Sequence, residues 1–140
     1  TIDIEGAVGG NESFSSNVDA VVDWFGPVDM ARMNNCEKVN DANSPEAALI
    51  GGAPADNADM VALISPITYV KEEGPRFLVL HGDADNVVPH CQGVYFSEEL
   101  KKANRLEEFI SVPEGQHGPV TFNEDTFKKM TDFFKKEAAK

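Results

Sequence analysis

One stretch restricts the fold of this chain more than any other. Residues 76 to 81 read Arg-Phe-Leu-Val-Leu-His and follow Gly74-Pro75. No polar residue alternates through the run, so a strand here is apolar on both faces. That is the pattern of a parallel sheet with helices on each side, not of a half-solvated hairpin. A parallel neighbour cannot be reached by a tight turn and needs a crossover of a dozen or more residues. The sequence supplies one. From about His90 to Asn104 the pattern is helical, with Cys91, Val94 and Tyr95 on one stripe and Phe96, Leu100 and Ala103 on the next. Glu107 to Val112 then reads as a further strand, closed by Pro113-Glu114-Gly115.

The flanking segments extend this α/β pattern. Residues 1 to 17 are rich in Gly, Asn and Ser and predict a loop. Val18 to Phe25 is a β-branched and aromatic run stopped by Gly26-Pro27, which predicts a buried strand with a sharp exit. Residues 28 to 43 are polar and punctuated by asparagines. Ser44-Pro45-Glu46 is a helix start, with Ser as N-cap and Pro at the first helical position, and that helix ends at Gly51-Gly52. Ala58 to Ile64 predicts a second short helix before Ser65-Pro66. Thr121 to Lys136 is amphipathic, with a capping box from Thr121 and Glu124 and a core face of Phe127, Met130, Phe133 and Phe134. The expected fold class is α/β: a mostly parallel sheet of about three strands flanked by helices, within one partial domain spanning 1–140. So few strands leave the faces thinly covered, as in part of a larger sheet.

Composition narrows the partners. Twelve basic residues against 24 acidic ones give a formal net charge of −12. Such a surface disfavours nucleic acid and anionic membranes, both of which reward basic residues. No apolar run approaches a membrane span. The N-terminal Thr-Ile-Asp-Ile-Glu-Gly resembles neither a signal nor a transit peptide and lacks an initiator Met. It fits a processed or excised piece, and leaves the compartment open. Two cysteines, Cys36 and Cys91, do not make a disulfide framework, and packed free thiols are expected.

Functional groups in open α/β sheets gather at the carboxyl ends of the strands. Two polar clusters stand there: His81-Gly-Asp83-Ala-Asp85-Asn-Val-Val-Pro89 and Pro113-Glu-Gly-Gln-His117-Gly118. Neighbouring parallel strands place these loops side by side. A carboxylate from one then accepts the Nδ1–H of an imidazole from the other, leaving Nε2 as a general base for a hydroxyl nucleophile. Asp83 and Asp85 also suggest a calcium loop, but the glycine and distal glutamate such a loop needs are absent, so no metal is expected.

The stretch Leu80-His-Gly-Asp-Ala-Asp-Asn-Val-Val-Pro89 resembles the acid loop of α/β-hydrolases in the esterase and prolyl-oligopeptidase branches. The stretches Val21-Val-Asp-Trp-Phe-Gly-Pro-Val-Asp29, Ser44-Pro-Glu-Ala-Ala-Leu-Ile-Gly-Gly52 and Ser65-Pro-Ile-Thr-Tyr69 resemble lipase-like and feruloyl or acetylxylan-type esterases. The resemblance covers nearly the whole chain and implies the C-terminal part of such a fold. It implies that Asp85, not Asp83, is the triad acid, and that His117 is the base. It leaves His81 structural and His90 without a role. Some relatives use a cysteine nucleophile, but Cys91 has Pro89 two residues before it and reads as a packed thiol. Trp24 and Phe25 read as core, with Trp24 near enough to a strand end to touch an acyl group.

The chain departs from that family at the nucleophile. None of its seven serines lies in Gly-x-Ser-x-Gly. The nucleophile and the early oxyanion loop are therefore expected to be missing by truncation. The expected activity is that of a serine carboxylic-ester hydrolase on short acyl or carbohydrate-linked esters, with this chain supplying acid and base and inactive alone. The partners expected are a small-molecule or plant-polysaccharide ester, and the missing N-terminal half or a second copy of the chain. No cofactor is implied. Two alternatives remain: a prolyl-oligopeptidase-type serine peptidase, and a non-catalytic piece that folds alone or self-associates at an exposed sheet edge.

Overall fold

A computed structural model describes residues 8–39 and 41–140. The expected loop at 1 to 17 lies partly outside them; residues 8 to 19 hold no helix or strand. Strands β1 (Ala20–Trp24), β2 (Arg76–Gly82) and β3 (Leu106–Val112) form a parallel sheet in the order β1-β2-β3. The apolar run that most restricted the fold is therefore the central strand. Leu78 and Leu80 face one side and Val79 the other, and all three are buried.

The crossover from β2 to β3 is α3 (Cys91–Lys102), whose Phe96 and Leu100 pack on Val79 together with Val28. The opposite face is covered by α4 (Glu124–Ala138), where Phe133 and Met130 meet Leu78 and Leu80. The excursion between β1 and β2 carries α1 (Pro45–Ile50) and α2 (Ala58–Leu63). Ser44 caps α1 as its sequence requires, with its hydroxyl accepting the Ala47 N–H.

Three expectations about β1 and α4 change. β1 is half-buried rather than buried, because among the described residues only β2 pairs with it. α4 starts two residues later than the expected capping box placed it: Asn123, not Thr121, is the N-cap, in a capping box with Thr126. Its core face is also narrower. Phe133 is buried, but Phe127 and Phe134 are 45% and 42% exposed, since three strands are too narrow a floor for the whole apolar stripe.

The cysteines are the clearest correction. Cys36 and Cys91 form a disulfide across 55 residues, with Cα atoms 5.9 Å apart. Counting cysteines could not foresee that the excursion after β1 folds back onto the first turn of α3. Gln92, the next residue along α3, holds the same segment. Its Oε1 accepts the N–H groups of Val28 and Asp29 at 3.0 and 2.7 Å, and its Nε2 donates to the carbonyls of Asp29 and Arg32 at 3.2 and 3.0 Å.

Asp23 on β1 carries an energetic cost. Its Oδ1 accepts the Gly26 N–H at 3.1 Å, while Oδ2 is buried with no partner among the described residues. Burial pushes its carboxyl up to about 6, against the smaller opposite pull of the Gly26 N–H. A carboxyl that binds its proton more tightly folded than unfolded helps the fold at low pH and loses that help as pH rises from about 4 to about 6. Asp23→Asn is therefore expected to raise unfolding stability at pH 8 by about 2 kcal/mol, and to flatten the fall between pH 4 and 6. Urea unfolding at pH 4, 6 and 8 measures it, and equal wild-type and variant midpoints at pH 8 would refute it.

Candidate active site

The two polar clusters meet at the carboxyl ends of β2 and β3. Their contact depends on two glycines. A Cβ on Gly82 would lie 2.2 Å from the Gly115 carbonyl oxygen, and a Cβ on Gly115 would lie 2.8 Å from the Gly82 Cα. No side chain fits at either position, so backbone rests on backbone and the loops interlock. The Asp83 N–H donates to the Val112 carbonyl at 3.1 Å, and the Ala84 N–H to the Gly115 carbonyl at 2.9 Å. The Asp83 carboxylate accepts the Glu114 N–H at 2.7 Å, so Asp83 ties the loops together and does not face an imidazole.

Within that frame Asp85 Oδ2 accepts from His117 Nδ1 at 2.9 Å. Asp85 Oδ1 accepts the N–H groups of Val87 and Val88 at 2.8 and 2.9 Å. The Asp85 side chain is fully shielded from solvent, whereas that of His117 is 32% exposed. Burial alone would push the Asp85 carboxyl up. The two backbone N–H groups and the His117 ring outweigh it and hold the carboxyl below the usual carboxylate range. An ionised Asp85 places the imidazole proton on Nδ1, which leaves Nε2 as the basic nitrogen. The rings of His117 and Phe25 lie 4.3 Å apart between centroids. Phe25 takes a left-handed backbone (φ 45°), which turns the chain out of β1 and sets its ring beside His117.

His81 and His90 stand apart from this pair. His81 is wholly buried, and its Nε2–H donates to the Val88 carbonyl at 3.0 Å, bracing the turn that carries Asp85. Burial holds its imidazole below the usual histidine range, so the ring is neutral there. His81 Nε2 is also 3.6 Å from Asp85 Oδ2, too far for a hydrogen bond. Gly93 of α3 makes room for this ring, since a Cβ there would lie 2.8 Å from His81 Nδ1. His90 Nε2 lies 2.9 Å from Ser111 Oγ. That serine–histidine contact has no carboxylate on the other ring nitrogen among the described residues, and so lacks the third member of a triad. Cys91, weighed as a thiol, is spent in the disulfide.

Sequence reasoning missed Gln92 and Thr121. Thr121 is wholly buried, and its hydroxyl donates to the Gln116 carbonyl at 2.6 Å, one residue before His117. For Gln92 the available signal was a polar residue beside a helical glycine, which is weak without the fold, and Thr121 had no signal of that kind. Trp24 is half-buried on the α4 side, 4.7 Å from the Phe122 ring and 5.7 Å from that of Phe127. Two cavities of about 410 and 420 Å³ lie elsewhere, one lined by Leu63, Tyr69 and Phe77 and the other by Val39, Val61 and Ile67. Neither contains Asp85 or His117, which lie at the open end of the sheet.

The comparisons with known proteins bear on the family and the fold. Residues 2–100 match the family model BD-FAE. The chain is 32% identical over 111 residues to Esterase LipQ of Mycobacterium tuberculosis, covering 77% of this chain and 26% of that protein. Among solved structures it is 66% identical, with a TM-score of 0.93, to a bifunctional GH43-CE protein of Bacteroides eggerthii; the match covers 98% of this chain and 18% of that one. A truncated carbohydrate esterase from gut microbiota is 54% identical, also at TM-score 0.93, over 99% of this chain and 49% of that one. The propionate-bound esterase Est2 of Thermogutta terrifontis, at 21% identity and a TM-score of 0.65, shares the fold over 94% of this chain and 46% of its own. The chain thus spans about a quarter of the length of the curated relative and half or less of these solved chains. With a parallel three-stranded sheet, helices on both faces and esterases on every side of the comparison, this chain belongs to the BD-FAE family of α/β-hydrolase-type esterases.

Proposed function

We propose that this chain contributes the acid and base of a Ser-Asp-His triad that hydrolyses carboxylic esters, with Asp85 as acid and His117 as base. The observation that carries the reading is the Asp85 Oδ2 to His117 Nδ1 hydrogen bond of 2.9 Å, on a carboxylate whose other oxygen is held by two backbone N–H groups. A serine hydroxyl at His117 Nε2 would lose its proton to the ring as it attacks the ester carbonyl. The imidazolium so formed is stabilised by Asp85 and returns the proton to the leaving alkoxide. None of the seven serines lies in Gly-x-Ser-x-Gly, so on this reading the nucleophile comes from outside this sequence. The 140 residues are then one partial domain, completed by the remainder of an esterase.

Two observations support that completion. β1 has no strand on its outer edge among the described residues, and the partly exposed aromatics Trp24, Phe122 and Phe127 pack on one another at that strand. The relatives are long enough to cover both. A solved neighbour described as a carbohydrate esterase supports an ester carried on a carbohydrate as the substrate, and we take its acyl group to be short. The disulfide suits a chain folded in an oxidising compartment.

Turnover of 4-nitrophenyl acetate tests the reading. The chain alone is expected to be inactive, because the covalent route lacks its nucleophile. Joined to a remainder bearing Gly-x-Ser-x-Gly, it is expected to turn over, and His117→Ala is expected to abolish that activity. Turnover by the chain alone that His117→Ala removes would overturn the outside nucleophile. Full activity of the joined His117→Ala enzyme would overturn the base.

A further inference from the structure

We propose that Thr121 is the positioning residue of His117, and that the segment leading into α4 sets the geometry of the base. This rests on reading His117 as the base of the triad.

His117 sits at the apex of a three-residue turn closed by the Gly118 N–H on the Gln116 carbonyl at 2.8 Å. Such a turn is weak by itself, and its apex residue is free to swing. Thr121 restrains it from both sides. Its hydroxyl donates to the Gln116 carbonyl at 2.6 Å, and its N–H donates to the Gly118 carbonyl at 3.0 Å. Thr121 is in turn anchored by α4, because the Thr126 hydroxyl donates to its carbonyl at 2.8 Å. Thr126 also completes the capping box with Asn123. The restraint therefore runs from the first turn of α4 to the carbonyls on either side of the base.

The same hydroxyl also touches the interlocked glycines. A Cβ built on Gly82 or on Gly115 would lie 2.7 Å from Thr121 Oγ1 in each case. Thr121 thus packs under the start of the acid loop and under the base loop at once. No other buried hydroxyl among the described residues bonds a carbonyl next to Asp85 or His117. Valine at this position keeps the shape and removes the donor. The Gln116 carbonyl would then keep only the Gly118 N–H, and the turn would sample positions in which Nδ1 leaves Asp85.

The readout is solvent exchange of the His117 Nδ1 proton, followed by ¹⁵N NMR on the whole chain. Asp85→Asn tests the underlying pair, and in it this hydrogen-bonded proton signal should disappear. Thr121→Val is expected to speed exchange by about tenfold or more, with the buried His81 signal unchanged, and Thr121→Ser is expected to restore it. Wild-type exchange in a folded Thr121→Val chain would overturn the positioning role while leaving the pair intact. A His117 signal indifferent to Asp85→Asn would overturn both. Where Thr121→Val loses its fold, Thr121→Cys carries the comparison, since a thiol is close to serine in size and a poor donor. Fast exchange in Cys with slow exchange in Ser supports the role, and equal exchange in the two overturns it.

Discussion

In an esterase completed around this chain, Asp85→Asn is expected to lower kcat about ten-thousandfold with KM little changed. The size follows from how the variant must sit. Oδ1 of Asp85 accepts two backbone N–H groups, from Val87 and Val88. An asparagine satisfies those donors only with its carbonyl oxygen, so its NH₂ is turned toward His117. Two donors then cannot face each other, and the ring shifts its proton from Nδ1 to Nε2. The nitrogen that should accept the serine proton is blocked, and the charge that stabilises the imidazolium is gone. The loop itself should survive, because both backbone bonds are kept. Steady-state turnover of an aryl acetate, with circular dichroism to verify the fold, decides the matter. A loss smaller than tenfold would remove Asp85 from the triad. Acid inactivation carries the same logic. The depressed Asp85 carboxyl stabilises the fold above the usual carboxylate range, and that contribution fades as pH falls through its folded-state value.

What the sequence disclosed and what it hid have different ranges. β2 was legible because an unbroken apolar run has one common use, and α1 because Ser44-Pro45 is a local signal read within one turn. Asp85 and His117 were legible through a resemblance in two short loops, and the fold brings them to 2.9 Å. The disulfide was hidden because its partners are 55 residues apart and meet only once the excursion folds back. α3 shows the same limit. Its sequence offered two apolar stripes, Cys91, Val94 and Tyr95 on one and Phe96, Leu100 and Ala103 on the next, and only Phe96 and Leu100 of these are buried. The buried residues are Gln92, Gly93, Phe96, Ser97 and Leu100, because His81 requires a glycine opposite its ring and the backbone at 28–32 requires an amide. Polar groups that satisfy distant backbone leave no periodic trace. α4 erred the other way: its stripe was real, but a sheet of three strands covers only part of it.

Gln92→Leu is expected to destabilise the fold by about 4 kcal/mol. The glutamine is wholly buried and makes four hydrogen bonds to the backbone of residues 28–32. Leucine fills a similar volume, so a cavity is not the issue. What is lost is the acceptor for the N–H groups of Val28 and Asp29, both in buried residues, and the donor for two carbonyls. A buried donor left unpaired costs about 1–3 kcal/mol, so two give about 4 kcal/mol, a large part of the roughly 5–15 kcal/mol that holds a domain together. The neighbouring disulfide should soften the result, because Cys36–Cys91 keeps the segment near α3 even when its hydrogen bonds are gone. The effect of Gln92→Leu should therefore grow when the disulfide is reduced, and the combined loss should exceed the sum of the two separate losses. Urea unfolding of wild type and variant, oxidised and reduced, gives the four corners of that cycle. Additive losses would show that the amide and the disulfide hold the segment independently. A Gln92→Leu cost under about 1 kcal/mol in the reduced chain would show that the backbone at 28–32 finds other partners, and that the amide does not fix the excursion beside the acid loop.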